Sequence, residues 1–167
     1  LPNTLYGLSK LIQSNHCKHL ANYFKVPCVS LKVFNVFGKL DNPKKVTSVV
    51  LKNIINNRVT KLSSCSQIRD FIYIDDLCKC FESIMLIKNK LFYEEFNICS
   101  SINITLKNFL LTICKLSNKN TKLLNFGKLK IRKGENQLNI GSNSKLKRKI
   151  NFQFNLNKSI KNYISSD

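Results

Sequence analysis

Acidic residues are scarce in this chain: nine Asp and Glu stand against 28 Lys and Arg, a formal net charge of +19. Taken alone, that imbalance points to nucleic acid or an anionic membrane surface as a partner. Its texture says otherwise. Only Arg58, Arg69, Arg132 and Arg148 are arginines, and the chain is as crowded with Asn and Ile as with Lys. The densest basic stretches, 128–133 and 145–149, alternate with Leu and Ile as amphipathic surface elements do. The charge therefore reads as a solvated face, with no nucleic-acid partner. Long hydrophobic runs are also missing, since Lys or Asn interrupts every apolar stretch before the about 18 residues needed to cross a bilayer. The opening Leu1-Pro2-Asn3-Thr4-Leu5-Tyr6 has neither the basic nor the apolar region of a signal peptide. The reading is a soluble, cytoplasmic protein with no membrane partner, whose start at Leu1 rather than Met looks like a truncation. Glycine is limited to five residues, none in G-x-G-x-x-G spacing, so no phosphate-cradling strand–loop–helix is present. The seven cysteines include no C-x-x-C pair, which argues against a zinc site or a disulfide framework and for buried free thiols. His16 and His19 lie one helical turn apart without a third ligand, so no metal site is expected.

Hydrophobic residues make up 43% of the 167 positions, enough for one sizeable core or parts of two. Leu5, Leu8, Ile12, Leu20 and Phe24 recur at a helical period that stops before Pro27. Cys28 to Phe34 is rich in β-branched residues and reads as a strand. A helix, a short turn and an apolar strand form one half-step of a parallel α/β sheet. A turn around 35–43 carrying Gly38 leads to a second helix over about 45–57, then to short strands near 59–62 and 71–74. Asp75 or Asp76 is a natural N-cap for a helix reaching about Ile87. A strand at 96–98, a helix over about 105–116, extended pieces around 123–131 and two final helices near 144–150 and 156–164 complete the pattern.

Tyr6 and Lys10 stand one helical turn apart, so both side chains can project from one face of the first helix. A phenol is a poor base at neutral pH, and a cation within about 4–6 Å favours its phenolate. Such a pair suits proton transfer to or from a hydroxyl during hydride transfer, although Tyr-x-x-x-Lys arises often by chance in a Lys-rich chain. The surroundings add to it. Pro2-Asn3-Thr4-Leu5-Tyr6-Gly7-Leu8-Ser9-Lys10 resembles the P-x-x-x-Y-G-x-S-K segment of the extended short-chain dehydrogenases, the NAD-dependent epimerase/dehydratase family. The segment from Val26 to Gly38 resembles that family's L-P-x-x-x-L-R-x-F-N-V-Y-G, and Gln67 to Leu77 resembles its R-D-F-I-Y-V-D-D-L block. Phe96-Asn97-Ile98 is similar to its F-N-I-G, and Arg132-Lys133-Gly134-Glu135 with Ser144-Lys145 to its R-x-G-E and S-K. Five blocks in order cover nearly the whole chain.

The resemblance implies an α/β fold: the C-terminal part of a Rossmann-type doubly wound parallel sheet plus a small α/β substrate-binding domain. Residues 1–62 would complete the NAD-binding domain, and 63–167 would be mainly substrate-binding, interleaved with a last Rossmann strand and helix. It implies Tyr6 as catalytic base and Lys10 as its partner on the ribose of NAD, with Val33 also beside the cofactor. Phe34, Asn35, Arg69 and Arg132 would hold the substrate, the two arginines gripping its diphosphate through planar paired donors. Asn35 capping the turn and Arg69 pairing with an aspartate are the plainer alternatives. The version of the Val33-to-Gly38 segment is most similar to that of 4-epimerases acting on UDP-hexoses, implying a nucleotide-sugar substrate and a homodimer at full length. A basic binding module and an inactive, diverged member are the competing readings. Lys32 stands where the family usually has Arg, and Ser63, Cys65 and Cys99 stand where it usually has Gly, so the sugar-side loops are expected to be reshaped.

Overall fold

A computed structural model describes residues 2, 4–87, 93–132 and 134–165; Asn3 and Lys133, which belong to two of the blocks above, lie outside them. Helix α1 (Leu5–Phe24) starts where Thr4 Oγ1 accepts the Gly7 N–H at 3.0 Å and stops at Lys25, whose left-handed backbone (φ 56°) turns the chain. Then follow β1 (Cys28–Val33), β2 (Asn35–Phe37), α2 (Val46–Ile55), β3 (Thr60–Lys61), β4 (Ile68–Tyr73), α3 (Ile74–Met85) and β5 (Tyr93–Ile98). The rest comprises β6 (Asn103–Thr105), α4 (Leu106–Leu116), β7 (Leu124–Asn125), β8 (Leu138–Asn139), α5 (Ser144–Lys147) and α6 (Leu156–Ser165).

Strands β1 and β5 pair in parallel over their full length, Cys28 opposite Tyr93 through Val33 opposite Ile98. β2 runs parallel to β4, which also takes β6 antiparallel and β8 parallel, while β3 pairs with β7. The chain thus passes from one sheet to the other within the single residue Phe34, between β1 and β2. Two cores follow this division. Ile72, Cys80, Ile84, Phe96, Ile98, Leu146 and Ile150 pack under β5 and α3. The larger core gathers α2, α4 and α6 around Phe37, Phe71 and Phe109, with Phe71 and Phe109 stacked at 3.9 Å between centroids. Neither core is a side product of the other, because burial at about 25 cal/mol per Å² rewards each apolar face separately.

The helices fall where their periodicity places them, and the differences are local. A strand, β2, occupies the start of the expected turn, because pairing with β4 satisfies its backbone. β4 begins at Ile68, earlier than Phe71, because residues 68–70 pair with β6 and β8. Tyr73 holds the cap position of α3 without a side-chain capping bond, so neither aspartate is the cap. Asp75 and Asp76 lie in its first turn, where the helix dipole favours them, and Asp76 Oδ2 accepts the Ser159 hydroxyl at 2.6 Å, docking α6. All seven cysteines are free, and no group of three metal-ligating side chains occurs among the described residues. No helix of the described residues is long and apolar enough to cross a membrane.

Candidate functional site

Tyr6 and Lys10 project from the first turns of α1, with Lys10 Nζ 5.8 Å from the Tyr6 ring centroid. Tyr6 is 73% exposed, and Lys10 spends one of its three donors on Gln13 Oε1 at 3.0 Å. One turn further on, Ser14 pins the helix to the sheet: its hydroxyl donates to Glu95 Oε1, which also accepts from Tyr93 Oη at 2.6 Å. Lys32 Nζ closes the cluster on Glu95 Oε2 at 2.9 Å. These donors, Ser14 and Tyr93 foremost, hold the Glu95 carboxyl down at about 2. The helix carrying Tyr6 and Lys10 is thereby registered against β1 and β5.

Where the chain crosses between sheets, a cavity of about 450 Å³ opens. Val33, Phe34 and Asn35 form one wall, Lys45 and Thr47 at the start of α2 another, and Gln67, Arg69 and Glu135 the polar floor. The arrangement follows from strand geometry: Gln67 and Arg69 are two residues apart on extended chain and so present the same face. Arg69 Nη2 meets Glu135 Oε1 at 3.3 Å and Asn136 O at 2.7 Å, while Nη1 reaches Ile68 O at 3.0 Å. Its partner is therefore a glutamate from the Arg-x-Gly-Glu block, not an aspartate, and two of its five N–H groups stay uncommitted by these bonds. Lys45 Nζ pairs with Asp41 Oδ1 at 2.8 Å and touches Val36 O at 3.3 Å, bringing a second cation to the rim.

Asn35 is held from behind: its Nδ2 donates to the Asp70 carbonyl at 2.8 Å. Asp70 is fully buried, and its carboxylate accepts from the Ser100 N–H and hydroxyl, both at 2.7 Å, and from the Ser101 N–H at 2.8 Å. Burial pushes this carboxyl above its ordinary range, against the pull of those hydrogen bonds. Ser101 sits at φ 61°, a left-handed turn that two of these bonds help hold. Cys65 adopts φ 52°, the conformation glycine favours, which confirms a strained turn where a glycine was expected; Ser63 and Cys99 show no such angle. Gly141 meets Phe34 and Cys99 so closely that an added Cβ would stand 2.5 Å from Phe34 Cζ.

The structure brings Val33, Phe34, Asn35 and Arg69 together around one cavity. Tyr6 and Lys10 share a helix face but do not line it, and Arg132 is exposed outside it, linked through its carbonyl to the Glu135 N–H at 3.2 Å. Gln67, Glu135, Lys45 and Asp70 join the site without having been singled out. A signal for three of them existed, since Gln67 and Asp70 flank Arg69 in one motif and Glu135 ends another.

The sequence profile of the NAD dependent epimerase/dehydratase family matches residues 1–99. The chain belongs to that family. It is 32% identical over 125 residues to dTDP-4-dehydro-6-deoxyglucose reductase from Escherichia coli, an alignment covering 71% of this chain and 39% of the reductase. In fold, this family member is similar to UDP-glucose 4-epimerase from Thermotoga maritima, crystallised with UDP-glucose: TM-score 0.86, 18% identity, 99% of this chain and 54% of the epimerase. It is likewise similar to UDP-glucuronic acid 4-epimerase from Bacillus cereus in complex with UDP-glucuronic acid and NAD: TM-score 0.84, 23% identity, 99% and 53%. The chain thus spans about two fifths of the reductase and about half of each epimerase, and its fold is that of an extended short-chain dehydrogenase over that part.

Proposed function

We propose that this epimerase/dehydratase family member serves an NAD-dependent sugar-nucleotide enzyme of the UDP-hexose 4-epimerase type. The observation that carries the reading is the cavity where Asn35 and Arg69 converge at the end of the strand that follows the Tyr6–Lys10 helix. Within this reading, residues 1–62 complete the cofactor domain and 63–167 mainly bind substrate, and the full-length protein is a homodimer.

The residues present fit the nicotinamide end of the cofactor: Lys10 keeps donors for ribose hydroxyls, Tyr6 lies open beside it, and Val33 is a partly exposed apolar contact. Bound there, NAD supplies an acceptor for the hydride from the sugar. Tyr6 accepts the proton of the sugar 4-hydroxyl through its phenolate and returns it when the sugar is reduced from its other face. Lys10 shares the helix face with Tyr6, its Nζ 5.8 Å from the ring centroid. Arg69 holds the diphosphate with its remaining donors, its plane fixed by Glu135 and the two carbonyls, while Asn35 adds an amide braced from behind by Asp70. Arg132 is proposed to close over the same diphosphate from the neighbouring loop.

Steady-state kinetics on the complete polypeptide test this. Tyr6→Phe keeps the ring but removes the proton acceptor, so turnover should fall by about 10²–10⁴-fold. Arg69→Ala removes a contact made equally before and during reaction, so KM should rise with little change in kcat. Wild-type turnover by Tyr6→Phe refutes the catalytic assignment. The identity with the 4-dehydro-sugar reductase favours a second reading, reduction of a 4-keto sugar nucleotide. A reductase consumes reduced cofactor in step with product, whereas an epimerase interconverts UDP-glucose and UDP-galactose with no net change in it.

A further inference from the structure

Gln67 lines the cavity beside Arg69 although it is only 4% exposed. Its Nε2 donates to Glu135 Oε1 at 2.9 Å. Only the NH2 half of the amide can face a carboxylate, so Glu135 fixes which way the side chain points. Oε1 is left buried and has no hydrogen-bond partner. A buried polar atom without a partner is rare and calls for an explanation. Slack in the backbone does not provide one: the Gln67 carbonyl accepts the Leu106 N–H at 2.9 Å, and the Cys65 carbonyl accepts the Lys107 N–H at 2.8 Å, tying the loop to α4.

We propose that Gln67 is a specificity-determining residue whose Oε1 accepts a hydrogen bond from a hydroxyl of the bound sugar nucleotide. The inference rests on the sugar-nucleotide reading above. Arg69, one strand repeat away, attracts the diphosphate, and the groups joined to a diphosphate in such a ligand are ribose and hexose, both rich in hydroxyl donors. Another phosphate oxygen is not a partner for Oε1, because two acceptors side by side repel, and the Glu135 carboxylate adds to that repulsion. The terminal amide torsion of glutamine is soft, so a tilt that keeps the bond to Glu135 turns Oε1 toward the cavity.

Gln67→Met preserves length and removes the acceptor; Gln67→Leu serves if the methionine variant does not fold. Calorimetric titration of the complete polypeptide with UDP-glucose, UDP and inorganic pyrophosphate gives the readout. The expected result is a loss of about 3- to 10-fold in affinity for the hydroxyl-bearing ligand, the scale of one neutral hydrogen bond, with pyrophosphate affinity unchanged. Loss for UDP-glucose alone places the hydroxyl on the hexose, and loss for UDP as well places it on the ribose. Equal loss for all three, pyrophosphate included, means that Gln67 only holds Glu135 and Arg69 in place, and overturns the proposal; so does no loss for any. If the wild-type protein binds pyrophosphate but neither nucleotide, the sugar-nucleotide reading itself falls and takes this assignment with it.

Discussion

Replacing Asp70 by alanine should be the most damaging single change near the site that touches no ligand. The carboxylate has no solvent exposure and receives three donors, the Ser100 N–H and hydroxyl and the Ser101 N–H, all within 2.8 Å. Its raised pKa says that desolvation outweighs what those bonds return to the charged form, so charge-assisted values cannot simply be summed. The cost lies in the donors left behind. Each buried donor stranded without an acceptor costs about 1–3 kcal/mol, and relaxation of the turn recovers part of it, so about 3–5 kcal/mol is expected. That is at least a fifth of a stability of about 5–15 kcal/mol. Asp70→Asn keeps one oxygen for the two Ser100 donors and sets its NH2 against the Ser101 N–H alone, for about 1–2 kcal/mol. Urea unfolding of the complete polypeptide measures both as midpoint shifts at constant m-value. The pH dependence separates them further. A folded-state pKa above the unfolded one gives stability that is full in acid and lost as pH rises through the folded value, and the asparagine variant should lack that slope. A Ser100–Ser101 turn that survives Asp70→Ala within about 1 kcal/mol of the parent, or an asparagine variant less stable than the alanine one, refutes the reasoning.

Glu95 should show the opposite sign: its folded pKa of about 2 lies below the ordinary carboxylate value, so its stabilisation is present above about pH 4.5 and lost as pH falls toward 2. Glu95→Gln should flatten acid unfolding followed by circular dichroism over that window. Gly141→Ala places a Cβ 2.5 Å from Phe34 Cζ and 2.9 Å from Cys99 Sγ, so Phe34 must shift at the cavity wall; KM for the sugar nucleotide should rise several-fold, against an unchanged kcat. Gly38→Ala would stand 2.3 Å from Ile74 Cγ2 at the start of α3, and overpacking of this kind costs about 1–3 kcal/mol, readable as a lower thermal midpoint without loss of substrate affinity.

The sequence by itself determined the order and type of the main elements. Leu5 to Phe24 carries a helical period bounded by Thr4 and Pro27, and Cys28 to Val33 is β-branched and apolar; such local preferences need no partner to be legible. It also determined the family, because five short motifs in order constrain one another where each alone is common. Val33, Phe34, Asn35 and Arg69 were readable as neighbours only through that resemblance. Tertiary structure alone decided the rest. That Asp70 is buried, that Glu135 rather than an aspartate receives Arg69, and that Gln67 has an acceptor to spare depend on β4, the 99–101 turn and residues 135–137 meeting across 30 to 70 residues of chain. Short β6 and β8 share this cause, since a two- or three-residue strand has no period of its own and exists only because β4 offers it hydrogen bonds. Cys65 shows the same division: the family resemblance marked a missing glycine, and only the folded loop, latched to α4 through the Lys107 N–H, forced a cysteine to keep glycine's backbone angle.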